Sequence, residues 1–208
     1  QKLLEDSIYF SNALGLRRRV AASMGLLASL LSRFDKEKAR IVAHEALVYC
    51  QKFGHKRGEI RLFLVLADMA CTAGHYEEAG RCLLECLHLS RLVDSHRALM
   101  PTLLFISDLF YAVSAFELSV QMFAFDVVLM KSFETEYETT FVSLHEEDVQ
   151  RLRAAVGDTV YDRIMDSTRE VDINRIEAIA RAGMEHYIFT PPPTEPLPQT
   201  PVREQITD

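Results

Sequence analysis

The chain has 208 residues, of which 49% are hydrophobic and 25% are charged, a composition ordinary for a globular protein and sufficient to bury a sizeable core. The net charge of −7 argues against a nucleic-acid-binding surface, because phosphate contacts need clustered Lys and Arg. The one basic run, residues 17–19, is too short to change that expectation.

The sequence also argues against insertion into a membrane or secretion. No apolar run is long enough to cross a bilayer, and no segment has the features of a signal peptide. Four cysteines are present, with no CxxC pair and no regular framework. We therefore expect reduced thiols, no membrane contact and a cytoplasmic location; the cysteines are Cys50, Cys71, Cys82 and Cys86.

Helical periodicity begins at the N-terminus and continues to about residue 132. Apolar residues recur every three or four positions, and the alternation typical of strands is absent. Gly54 marks one turn, and Pro101 lies in the first turn of its helix, where a missing N–H costs little. The predicted helices are residues 3–16, 17–33, 36–53, 57–73, 76–92, 98–113 and 116–132.

These helices repeat at an interval of forty residues. Glu37, Glu77 and Glu117 are equivalent, as are Leu26, Leu66 and Ile106. The interval predicts a half unit at 1–16 and units at about 17–56, 57–96 and 97–136, within a repeat region of residues 1–144. Because the first unit is only half present, we expect the natural chain to continue upstream.

Small residues recur within the units at sites where two helices would touch. Ala39, Ala79 and Ser119 occupy one such site, and Ala67 and Ser107 occupy another. Antiparallel helices approach closely only where side chains are small. Because a single helix pair cannot bury its apolar face, stacking of successive pairs is expected. The sequence predicts an all-α protein, an α-α superhelix of helical hairpins.

A different pattern follows the repeats. Shorter helices are predicted at 146–156, 158–167 and 173–186, with Asp172 as the N-cap of the last one. We interpret residues 145–188 as a C-terminal helical cap that closes the superhelix. Residues 189–208 are rich in proline and poor in large apolar residues, which is typical of a linker or a disordered tail.

The segment GHYEEAGRCLLECLHLSRLV, residues 74–93, resembles a tetratricopeptide repeat, in which Gly, an aromatic residue and a small residue mark the turn and the second helix. The forty-residue interval and the closing segment, residues 153–180, are similar to regions of bacterial signal-transduction ATPases with numerous domains, the class that includes the maltose-regulon activator. Ser114 departs from the pattern, since it replaces the turn glycine. The resemblance implies a non-catalytic sensor region within a larger transcriptional regulator.

In tetratricopeptide repeats the first helices line a concave groove, which suggests where a partner would bind. The predicted groove has a mostly apolar surface with two acidic residues and one basic residue. Such a surface suits an extended or helical peptide that carries a basic residue among apolar ones. A protein or peptide ligand or a small effector is therefore expected, with no cofactor. The groove residues are Met24, Ala28, Leu31, Arg61, Leu64, Asp68, Cys71, Leu104, Asp108 and Tyr111.

Three other interpretations compete with this one. Asp68 and Asp108 could act as a general acid and base, but a polar groove lining is favoured because no histidine is placed beside them. Cys82 and Cys86, one turn apart, could bind a metal, but a structural role is favoured. An autonomous scaffold without an attached ATPase is the main alternative function.

An aromatic group could form a docking surface, but most of it is interpreted as core, with Tyr111 the exception. Its members are Phe105, Phe110, Tyr111, Phe116, Phe123 and Phe125.

Overall fold

The computed structural model describes residues 1–93, 96–131, 138–170 and 172–190, and of residues 138–145 it describes the backbone alone. Most of the predicted proline-rich tail, from residue 191 onward, lies outside the described residues. Within these ranges the chain forms ten α-helices, one π-helical turn and no strand, which confirms the all-α class. None of the described helices is both long and apolar enough to cross a membrane.

The helices pack as antiparallel pairs in two ranks. α2, α4 and α6 contact one another in series, whereas α3, α5 and α7 have no direct contact with each other in the described part of the chain. The first helix of each pair, α2, α4 or α6, therefore lies in an inner rank. The second helix of each pair, α3, α5 or α7, lies in an outer rank, as in the predicted α-α superhelix. The helices are α1 Lys2–Ala13, α2 Arg17–Leu31, α3 Lys36–Lys52, α4 Lys56–Thr72, α5 Tyr76–Leu92, α6 His96–Ala112, α7 Phe116–Lys131, α8 Glu138–Val156, α9 Asp158–Ser167 and α10 Ile173–Met184.

The forty-residue interval is visible in the helix boundaries. α3, α5 and α7 begin forty residues apart, and so do α4 and α6. Glu37, Glu77 and Glu117 each occupy the second position of an outer-rank helix, where a carboxylate interacts favourably with the positive end of the helix dipole. The equivalence of these glutamates, predicted from the sequence, is confirmed.

Small residues lie where the helices of a pair touch. Ala39, Ala79 and Ser119 are fully buried, and Ala67 and Ser107 are nearly so. Between α6 and α7 the two serines exchange hydrogen bonds: Ser107 Oγ donates to the Ser119 carbonyl at 2.9 Å, and Ser119 Oγ donates to the Ser107 carbonyl at 2.7 Å. The third pair therefore keeps the close approach while satisfying both buried hydroxyl groups.

The first unit departs from the predicted register by one residue. Its inter-helix turn contains four residues, 32–35, whereas the turns of the next two units contain three, 73–75 and 113–115. As a consequence, Leu27, which is 5% exposed, takes the place equivalent to Leu66, whereas Leu26 is 50% exposed. The predicted equivalence of Leu26 and Leu66 is wrong, because one extra turn residue shifts the whole of α2.

The C-terminal helices complete the superhelix in two ways. α8 and α9 stack against α7, while α10 packs against α5, α6 and α7 and so fills the space between two outer-rank helices. Asp172 caps α10 as predicted, since its carboxylate accepts a hydrogen bond from the Asn174 N–H at 2.9 Å. Gly183 of α10 lies so close to Phe110 and Leu118 that an added Cβ would be 2.7 Å from either side chain, which explains the absence of a side chain there.

The turn of the third unit generates a stability prediction. Ser114 has φ +61°, in the left-handed region that Gly74 occupies one unit earlier with φ +77°. Because a Cβ is disfavoured in that region, Ser114→Gly should raise the free energy of unfolding by about 0.5–1 kcal/mol, as measured by urea denaturation. Gly74→Ser is the matched control and should lower it by a similar amount. An unchanged midpoint for both variants would contradict the argument.

Candidate partner-binding cleft

The first unit contributes little to the surface of the predicted groove. Ala28 and Leu31 are buried, and Met24 packs partly against the core formed with α3 and α4. The register shift is the reason, because it aligns Ala28 and Leu31 with the buried residues Ala67 and Ala70 of α4. The side chains of Ala28 and Leu31 are therefore not available to a partner, contrary to expectation.

The second and third units bring three predicted residues together. Asp68, Cys71 and Asp108 line a cleft of about 160 Å³ between α4 and α6, which we call the α4–α6 cleft. Arg61 is exposed two turns before Asp68 on α4, and Leu64 is half-buried against the core. The remaining lining residues form an apolar floor with one hydroxyl group: Ala67, Thr72, Leu83, Phe105 and Leu109.

The charge of the cleft is negative. Partial burial, and then the negative charge of Asp108, raise the pKa of the Asp68 carboxyl, while the charge of Lys36 opposes the shift. In the described ranges no cationic side chain forms an ion pair with Asp68. The raised pKa therefore reflects a partly desolvated carboxylate beside a like charge, which the charge of Lys36 offsets only in part.

The cap engages the third unit's part of the groove. Arg151 of α8 donates from Nη2 to Asp108 Oδ1 at 2.6 Å and to Asp148 Oδ1 at 2.8 Å. Its guanidinium carbon lies 4.7 Å from the centre of the Tyr111 ring, within the range of a cation–π interaction. Leu104 and Tyr111 also pack against the core that includes Leu152 of α8. The cap therefore covers Leu104, Tyr111 and one side of Asp108.

Neither Arg151 nor Asp148 is among the residues predicted for the groove. Asp148 lies forty residues after Asp108, so the repeat interval carried a signal for it beyond the predicted end of the repeats. Arg151 had no such signal. Its contact with α6 depends on how the cap lies against the third unit, which no local pattern specifies.

The remaining candidate residues have structural roles. Cys86 is buried, and its thiol donates to the Ile60 carbonyl at 3.5 Å. No group of three or more metal-binding side chains occurs among the described residues. Phe110, Phe123 and Phe125 are buried in the core, as predicted for most of the aromatic group, whereas Tyr111 is half-buried under Arg151.

Thiol reactivity should distinguish the cleft from the core. Burial, and then nearby glutamates, raise the pKa of Cys50 and Cys82 to about 11, and burial raises the pKa of Cys86 well above its usual value. Since the thiolate is the nucleophile, these thiols should react slowly with a disulfide reagent at pH 8. Burial also raises the pKa of Cys71, but its half-buried side chain lines the open cleft. Cys71 should therefore react before the other thiols, and Cys71→Ser should remove the fast phase. A fast phase that survives in Cys71→Ser would contradict the assignment.

Comparisons with known proteins assign no relative to the chain. No protein-family model matches it, and neither the curated proteins nor the solved structures include a significant match.

Proposed function

We propose that this chain is the partner-binding sensor region of a larger cytoplasmic, bacterial regulatory ATPase, and that it is not catalytic in itself. The observation that carries the proposal is the α4–α6 cleft. Asp68 and Asp108 stand at its rim, on neighbouring helices of the inner rank, above an apolar floor. Binding sites are typically concave and mostly apolar, with a few polar groups.

The chemistry of the cleft favours binding over catalysis. Burial raises the pKa of the Cys71 thiol, and the charges of Asp108 and Asp68 raise it further, so a thiolate nucleophile is disfavoured there. Asp108 is ion-paired with Arg151, and no histidine is among the described residues that line the cleft. These features disfavour both nucleophilic and acid–base roles for the lining residues.

The packing offers a route by which binding would be coupled to an attached domain. Inner-rank helices contact one another in series, and α10 ties α5 to α7 through a continuous apolar core. A ligand that holds α4 and α6 at a fixed separation would therefore change the freedom of the outer rank as well. In a stacked repeat protein each unit contacts only its neighbours, so a change at one interface acts first on the adjoining units.

A steric block of the cleft tests the binding function. Thr72 is exposed on α4 and lines the cleft, so Thr72→Trp should fill it without changing charge. Peptides selected from a random phage-displayed library on the wild-type chain should lose about tenfold or more in affinity for Thr72→Trp, measured by fluorescence anisotropy. Gln51→Trp, at an exposed outer-rank position of α3, is the matched control and should bind normally. Equal binding to both variants, or no selected peptide, would rule out the cleft as the binding site.

Gene context distinguishes the regulatory ATPase from the scaffold. The proposal predicts a nucleotide-binding module with a GxxxxGK[ST] loop encoded upstream of Gln1, because that motif cradles the phosphates of ATP. The measurement is the sequence of the flanking gene. An initiator codon close to Gln1 would instead favour the autonomous scaffold, while leaving the binding function of the cleft intact.

A further inference from the structure

The chain contains its own example of how a cation binds to the inner rank. Arg151 bridges two carboxylates that lie forty residues apart in the sequence, Asp108 on α6 and Asp148 on α8, at 2.6 and 2.8 Å. The Tyr111 ring forms one wall of the site. A planar guanidinium group suits this position, because its fork of N–H donors can contact two carboxylates while its face rests on an aromatic ring.

A second pair of carboxylates with the same sequence spacing lies one unit earlier, and no cation of the described residues bridges it. Asp68 and Asp108 are also forty residues apart on neighbouring inner-rank helices, and both line the α4–α6 cleft. Phe105 supplies an aromatic side chain there. Asp68 has no ion-pair partner in the ranges that the structure describes, and the Asp108 contact with Arg151 uses only Oδ1.

We propose that the α4–α6 cleft binds a protein segment whose arginine bridges Asp68 and Asp108, with a neighbouring apolar side chain seated on the cleft floor. This inference rests on the proposed binding function of the groove. The cleft volume of about 160 Å³ is sufficient for one such side chain, since cavities of roughly this size hold a benzene-sized group. Arginine is preferred to lysine, because the ammonium group has no planar fork with which to span two carboxylates.

A neutral analogue of arginine isolates the charge from the shape. Peptides selected on the wild-type chain should share an arginine next to an apolar residue. Replacing that arginine by citrulline or lysine should weaken binding by about tenfold. Asp68→Asn should weaken binding of the arginine peptide by a similar factor. It should leave binding of the citrulline peptide unaffected, because that peptide already lacks the charge that interacts with Asp68.

Glu85→Gln is the matched control for the loss of one negative charge, because Glu85 is exposed on the outer-rank helix α5, and it should leave the affinity of the arginine peptide unchanged. Selected peptides without a shared arginine, or equal binding of the arginine peptide to wild type and Asp68→Asn, would overturn the inference. In that case a loss of binding to Thr72→Trp would still support the proposed function. Failure to select any peptide would overturn both.

Discussion

The fold depends on the close approach of the two helices in each pair at one small residue. Ala39, Ala79 and Ser119 are fully buried at this contact, so a larger side chain would separate the helices and expose the Leu and Phe residues around it. The third pair has two serines where the second has two alanines. Their reciprocal hydrogen bonds offset the desolvation of the hydroxyl groups, which would otherwise cost about 1–3 kcal/mol each.

Because this contact is required in every unit, the repeat could be read from the sequence. The pattern alone predicts that Ala79 and Ser119, forty residues later, are buried. It also predicts the N-cap at Asp172. The register of α2 could not be read in the same way. Leu26 and Leu27 are both apolar, so either satisfies helical periodicity, and only the four-residue turn that precedes α3 decides which of them is buried.

The candidate site was predictable to the same extent as the repeat. Asp68, Cys71 and Asp108 lie together because they occupy neighbouring positions in the repeated pattern. Arg151 and Arg153 show where that reasoning ends. They are two residues apart on α8, yet Arg151 pairs with Asp108 of α6, whereas Arg153 pairs with Asp158 and Asp162 inside the cap. Composition and spacing do not distinguish the two arginines. Their different partners depend on how α8 lies against α6.

The relative strength of two contacts explains how the cap affects the groove. The side chains of Arg151 and Asp108 are 34% and 49% exposed, and ion pairs with this exposure contribute at most about 1 kcal/mol. Leu152, the next residue, is fully buried in the core with Phe123 and Tyr161, and burial of such a side chain contributes about 1.5–3 kcal/mol. Apolar packing therefore sets the position of α8. The ion pair offsets part of the negative charge of Asp108 and Asp148, whereas Asp68 has no ion-pair partner among the described residues.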